Sequence, residues 1–287
     1  MKKLIVVSLA LVLCLCLCSC KSSEYNKALE LYAAEEYQQA KTTFASLGAY
    51  ENAEEMVKKC DYQMAMKLMK EEKYVEAMEL LLAVGDYEDS QEQMVTCICE
   101  AAVAYAEKGN ITEAVSLLTD YYQYPRAQAA FVEIIMAEIT ENYLPHVEAA
   151  TNSWSEYLNV WVKLFLEEGK KTAVGQSVNI PKVDNNAPQV IALKRSMEKA
   201  NKTMALLRSA YNEEVLKVCD EEISNLVNTI FSSGEVIDKQ FQSLDNWAAT
   251  FLFYGIQSNN AIKANNNLIN AIYAIEDAVE LLTDTRA

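Results

Sequence analysis

Apolar residues along the first half of the chain recur at steps of three and four, the spacing that places side chains on one face of an α-helix. Short polar breaks divide these stripes into pairs, such as Tyr62 to Glu71 followed by Tyr74 to Ala83. The pairs themselves repeat at a shift of 37 residues. Ala28, Leu31, Tyr37, Ala40, Phe44 and Leu47 align with Ala65, Leu68, Tyr74, Ala77, Leu81 and Val84. A third unit follows with Ala102, Tyr105, Ile111, Ala114, Leu118 and Tyr121. A helix pair this short buries little alone, so stacking of successive pairs must supply the core. Ala40, Ala77 and Ala114 let neighbouring helices approach, and Gly48 and Gly85 suit left-handed backbone at helix C-termini. Phe131, Ile134, Ile135 and Ile139 continue the spacing without a second helix, so Arg126 to Asn142 is expected to cap the array.

The second half follows a longer pattern. Leu144-Pro145 marks the boundary, because proline is comfortable at a helix start and costly inside one. Val147, Ala150, Trp154, Tyr157 or Leu158, Trp161 and Leu164 or Phe165 then form one amphipathic stripe ending near Glu168-Gly169. Gly169 to Pro188 is expected as a long loop, with a weak extended signal at Val178 to Ile180. A second stripe runs from Leu193 through Met197, Met204 and Leu207 to Ile230; unbroken, Gln189 to Ser232 would span about 65 Å. Ser233-Gly234 is the expected reversal. A final stripe joins Trp247 and Phe251 to Ile275 and Leu282, as one helix or as two broken at Gly255 to Asn260. Three or four such helices predict an up-and-down antiparallel bundle.

The repeated run of small, apolar, aromatic, alanine, large apolar and apolar residues from Ala28 to Leu47 resembles the tetratricopeptide repeat. Leu81 and Leu118 stand where the first unit has an aromatic, and Gly85 to Ser90 is similar to junctions in a longer-repeat variant of bacterial surface proteins. The resemblance covers Tyr25 to Asn142 and implies an α-solenoid that binds a protein or peptide. The alternative is a structural spacer between membrane and distal bundle, or an envelope-assembly lipoprotein whose distal bundle does the work. Tyr25, Tyr32, Tyr62, Met69 and Tyr105 are the candidate partner-facing residues, unless they pack between layers. Trp154, Trp161 and Trp247 are candidates for a ligand pocket in the bundle, or for its ordinary core.

Composition supports an all-α fold, with only 4 prolines and 7 glycines in 287 residues. The formal charge of -16 argues against nucleic acid, since a polyanion repels phosphates. Cys60, Cys97, Cys99 and Cys219 are too few for a disulfide scaffold and read as buried thiols. His146 is the only histidine, so no multi-histidine metal site can form, and Cys97-x-Cys99 lacks the second pair of a structural zinc site. Acid pairs such as Glu35-Glu36 and Glu71-Glu72 cannot share one helix face. No cofactor motif or nucleophile motif stands out, and the expectation is a non-enzymatic protein without metal or cofactor. Asn259, Asn260, Asn265, Asn266, Asn267 and Asn270 read as a solvated or frayed segment, with a polar interaction face as the other reading.

The N-terminus supplies an address. Met1-Lys2-Lys3 is basic, Leu4 to Leu17 is apolar, and Leu17-Cys18-Ser19-Cys20 closes the leader. This run resembles a bacterial lipoprotein signal, which implies cleavage before Cys20 and lipid on its thiol. The expected organisation is therefore a signal peptide at 1–19, a lipidated tether at 20–24, repeats with their cap at 25–143 and the bundle at 144–287. It places the chain on the extracytoplasmic face of a bacterial membrane, held through Cys20, with an envelope protein or peptide as partner. The tandem of a short tetratricopeptide-like solenoid and a long-helix bundle leaves oligomeric state open.

Overall fold

The computed structural model describes residues 21–172, 183–242 and 259–284. Every regular element among them is helical and none is a strand, so the fold is all-α. The chain divides into two compact units, Met1–Ala104 and Tyr105–Ala287.

The first unit contains α1 (21–33), α2 (Tyr37–Leu47), α3 (Ala53–Lys70), α4 (Tyr74–Val84) and most of α5 (Ser90–Glu107). Here α2 packs on α3, and α3 on α4. One core cluster joins Ala28 of α1, Phe44 and Leu47 of α2, and Ala53, Met56 and Cys60 of α3. The next joins Tyr62 and Ala65 of α3, Leu81 and Val84 of α4, and Cys97 of α5. Helix α3 thus gives its first half to one layer and its second half to the following one. Ala28, Ala40, Ala65 and Ala77 are fully buried, because only a small side chain fits where the helix axes come close. A buried Phe44 or Leu81 then contributes roughly 1.5–3 kcal/mol by leaving water.

The turns within each pair also repeat. Glu35, Glu72 and Gly109, spaced 37 residues apart, take φ of 60°, 59° and 80°. Behind each, two hydrogen bonds close the helix end: Glu72 N–H to Met69 O at 3.1 Å and Lys73 N–H to Leu68 O at 3.0 Å in the second copy. This pairing is a Schellman cap, so the left-handed residue is glutamate twice and glycine once. Gly48 and Gly85 have positive φ as expected, but their ψ values of -131° and -126° lie outside the left-handed helical well. They serve instead as glycine-only corners between one helix pair and the next.

The second unit contains α6 (Ile111–Thr119), α7 (Pro125–Ala137), a π-helical segment (Glu138–Tyr143) and α8 (Leu144–Thr172), then α9 (Pro188–Ala210), α10 (Glu213–Leu216), α11 (Glu221–Gln242) and α12 (Asn259–Asp284). Helical backbone runs on from Pro125 through Thr172. Pro145 lies in the first turn of α8, and the π segment immediately before it absorbs the altered hydrogen bonding that a proline imposes. The residues expected to cap the array, Phe131, Ile134, Ile135 and Ile139, are buried within this unit. Val178 to Ile180 lies outside the described residues.

Helix α9 is the central element of this unit, packing on α6, the π segment, α8 and α11. Its buried stripe is Val190, Leu193, Met197, Ala200, Met204, Leu207 and Ala210. Asn201 pairs with Asp238 at 2.6 Å and Arg208 with Glu235 at 3.0 Å, so rising numbers in α9 meet falling numbers in α11 and the two run antiparallel.

The expected reversal at Ser233-Gly234 does not occur. Both residues are buried inside α11, and the chain turns instead between Tyr211 and Asp220. Asn212 starts that turn by accepting hydrogen bonds from Glu214 N–H at 3.0 Å and Val215 N–H at 3.2 Å. Gly234 serves packing: a Cβ there would stand 2.7 Å from Met204 Cε and 3.4 Å from the Tyr143 hydroxyl. A single 65 Å helix is therefore replaced by α9 and α11 folded against each other.

Candidate functional site

An open groove of about 460 Å³ lies in the first unit, between the α1–α2 turn, the start of α2, the second half of α3 and the middle of α4. Repeat geometry builds it. The Schellman turn brings Glu35 and Glu36 to one edge, with Glu36 N–H bonded to Leu31 O at 2.9 Å. Half-buried Tyr37, Met64, Leu68 and Leu80 form its apolar surface, and Gln38, Gln39, Lys67 and Glu71 complete the rim.

Charge is distributed unevenly around it. Glu71 accepts from Lys73 Nζ at 2.8 Å, and this hydrogen bond holds its carboxyl below the usual carboxylate range. Lys67 adds a smaller attraction in the same direction. Glu35 and Glu36 have no ion-pair partner among the described residues. Tyr37 is raised above the ordinary phenol value by desolvation first, then by Glu35. The arrangement can hold an apolar group beside a cation. It offers no nucleophile activated by a neighbouring base.

None of the five candidate facing residues lines this groove. Tyr25 packs half-buried against the first core cluster, with Phe44 and Tyr50 edge-on at 5.5 and 5.9 Å, and its hydroxyl donates to Asn52. Tyr62 repeats that arrangement 37 residues later, edge-on to Tyr87 at 5.7 Å and donating to Asp89 Oδ1 at 2.5 Å. Tyr32 meets Tyr37 edge-on at 5.3 Å, with Lys59 Nζ 5.6 Å from its ring centroid. Met69 is half-buried against the second cluster, and Tyr105 in the second unit is 37% exposed. Sequence spacing identifies the layers but not the groove, whose edge depends on a glutamate adopting positive φ.

In the second unit, Trp154 and Trp161 are 6% and 2% exposed, and Trp154 stacks on Tyr157 at 5.6 Å. Trp247 and Cys20 lie outside the described residues. Cys60 and Cys97 are buried free thiols, each pushed up to about 11 chiefly by desolvation. Among the described residues no cluster of His, Cys, Asp and Glu could hold a metal ion, and no helix is long and apolar enough to cross a membrane. No family model, no curated protein and no solved structure matches this chain.

Proposed function

We propose that this chain is a lipid-anchored extracytoplasmic scaffold that binds a protein or peptide through its helical repeats. The observation that carries the reading is the groove at the first inter-repeat junction, which joins half-buried Tyr37, Met64, Leu68 and Leu80 to Glu35 and Glu36, neither of which has an ion-pair partner among the described residues. A concave, mostly apolar surface with a few placed polar groups is the general form of a recognition site. The basic-then-apolar leader ending at Cys20 supports attachment to a membrane. Recognition is non-covalent, and the helix pairs act as a rigid platform for it.

The test is site-specific photocrosslinking of the full chain in membranes. A crosslinker replacing Gln38, at the groove, should capture a discrete partner that one replacing the exposed Lys202 of α9 does not. Identical products at both positions, or none at Gln38, would remove the binding assignment. Mass spectrometry of the membrane-bound chain should find Cys20 at its N-terminus with lipid on the thiol; an unmodified Cys20 would sink the lipid anchor.

A further inference from the structure

We propose that the groove recognises a short basic and apolar segment of a partner protein, with a large aliphatic side chain against Tyr37, Met64, Leu68 and Leu80 and a lysine or arginine against Glu35 and Glu36. The assignment deepens the binding reading above and rests on it.

Charge complementarity decides the occupant. Of the three carboxylates at the groove, Glu71 is engaged by Lys73 at 2.8 Å, whereas Glu35 and Glu36 are unpaired among the described residues. Residues 21–104 hold 8 basic and 17 acidic side chains, so the surrounding field attracts a cationic segment and repels an anionic one. A purely apolar ligand would leave both carboxylates without a partner at the rim. A purely basic one would leave the apolar surface in water.

The two elements of recognition are held at a set separation. Glu35 N–H bonds to Tyr32 O at 3.0 Å and Glu36 N–H to Leu31 O at 2.9 Å, which fixes the backbone of both glutamates relative to α1. Tyr37 is braced edge-on by Tyr32 at 5.3 Å. A partner therefore meets a largely preformed site and loses less freedom elsewhere.

The chemistry is particular to this junction. At the aligned positions 37 residues later, Glu36 becomes Lys73, Met64 becomes Ala101, Lys67 becomes Ala104 and Glu71 becomes Lys108. The repeat preserves the helix pair and changes the rim, as expected if the first junction alone carries this specificity.

Fluorescence anisotropy of the full chain with four short peptides tests the proposal: alternating leucine and lysine, leucine and glutamate, lysine and serine, and leucine and serine. The leucine–lysine peptide should bind best. Glu35→Gln with Glu36→Gln should weaken it about tenfold or more, as should Leu80→Lys, with helical content unchanged by circular dichroism. Equal binding of the lysine–serine peptide would reduce the effect to diffuse attraction, and equal binding of the leucine–serine peptide would reduce it to apolar contact; either overturns the proposal. So does a leucine–lysine affinity that the variants leave unchanged, or dimerisation that they abolish, which would assign the groove to a second copy. Crosslinking at Gln38 separates the two levels. A partner captured equally by wild type and by the Glu35→Gln, Glu36→Gln chain overturns the basic-segment assignment but leaves binding standing, whereas no capture by wild type removes the binding reading itself.

Discussion

The Tyr62 hydroxyl donates a 2.5 Å hydrogen bond to Asp89 Oδ1, joining α3 to the residue just before α5. One repeat earlier Tyr25 makes the same bond to Asn52, across the same interval of 27 residues. The carboxylate is thus one of two acceptors the chain uses at this place, and of the two only the carboxylate adds a dependence on acid pH. The hydrogen bond from Tyr62, and next that from Gln93, lower Asp89, so its contribution to stability is present above the ordinary Asp value of 3.8 and lost as pH falls through the depressed folded value. The same bond, ahead of desolvation, raises Tyr62 to about 12. Its contribution is complete below the usual 10.0 and lost as pH rises toward about 12. Asp89→Asn should keep the fold at neutral pH and flatten the acid limb of a thermal-midpoint profile. Tyr62→Phe should flatten the alkaline limb and, by removing the main cause of the lowered Asp89, weaken the acid limb as well; unchanged limbs in both variants would refute the linkage.

A second pair tests what the repeat tolerates. Lys41 Nζ lies 2.6 Å from Oδ1 of Asp61, which is buried, in a charge contact without directed hydrogen-bond geometry. At the aligned positions the chain places Met78 with Ile98, and then Val115 with Ile135. Lys41→Met alone strands a buried carboxylate and should cost about 2–4 kcal/mol, the range for breaking such a pair moderated by partial exposure of the lysine. Adding Asp61→Ile should restore wild-type stability or exceed it. Denaturant melts of the single and double variants decide the matter; a double variant no better than the single contradicts it.

The Schellman turns predict opposite effects for two substitutions. Glu72 holds φ of 59° where Gly109, at the aligned position, holds 80°. Glu72→Gly relieves left-handed strain and should raise stability by roughly 0.5–1 kcal/mol, even though glycine also frees the unfolded chain. Gly109→Ala should lower it by about 1 kcal/mol. Thermal midpoints moving the other way would show that the glutamate side chain, not the backbone, governs the turn.

Gly234 permits contact between α9 and α11. Alanine there gains helix propensity but must displace Met204 Cε, a flexible tip 2.7 Å away, so the net change should be near zero. Leucine should cost about 1–3 kcal/mol by overpacking against Met204 and Tyr143. Met204→Ala should recover much of that loss in the Gly234→Leu background. Additive losses in the double variant would mean that the two residues do not share this space.

Two features of the fold are legible in the sequence, and two are not. The buried positions of the repeat follow from spacing alone, because Ala28, Ala40, Phe44 and their aligned partners are apolar wherever a helix turns toward its neighbour. Cys60, Cys97 and Cys99 follow as well, since a small apolar side chain at such a place has only burial to explain it, whereas Cys219, also expected to be buried, is only half-buried after the turn that Asn212 starts. Ser233-Gly234 misleads because glycine marks a turn and a close helix contact with the same letter. Glu35 and Glu72 go unnoticed because glutamate carries no local signature of positive φ.

The sequence by itself determined the all-α class, the 37-residue period and the identity of most core positions, since each depends on contacts near in the chain and on the periodicity of one helix. Tertiary structure alone decided that the helical backbone continues through Pro145, that the chain reverses at Asn212 and that Glu35 and Glu36 border an apolar groove. Those outcomes depend on which distant side chain occupies a space: Met204 against Gly234, and Met64 and Leu80 beside Tyr37. Such choices are settled by close packing between helices, for which one-dimensional spacing contains no distance.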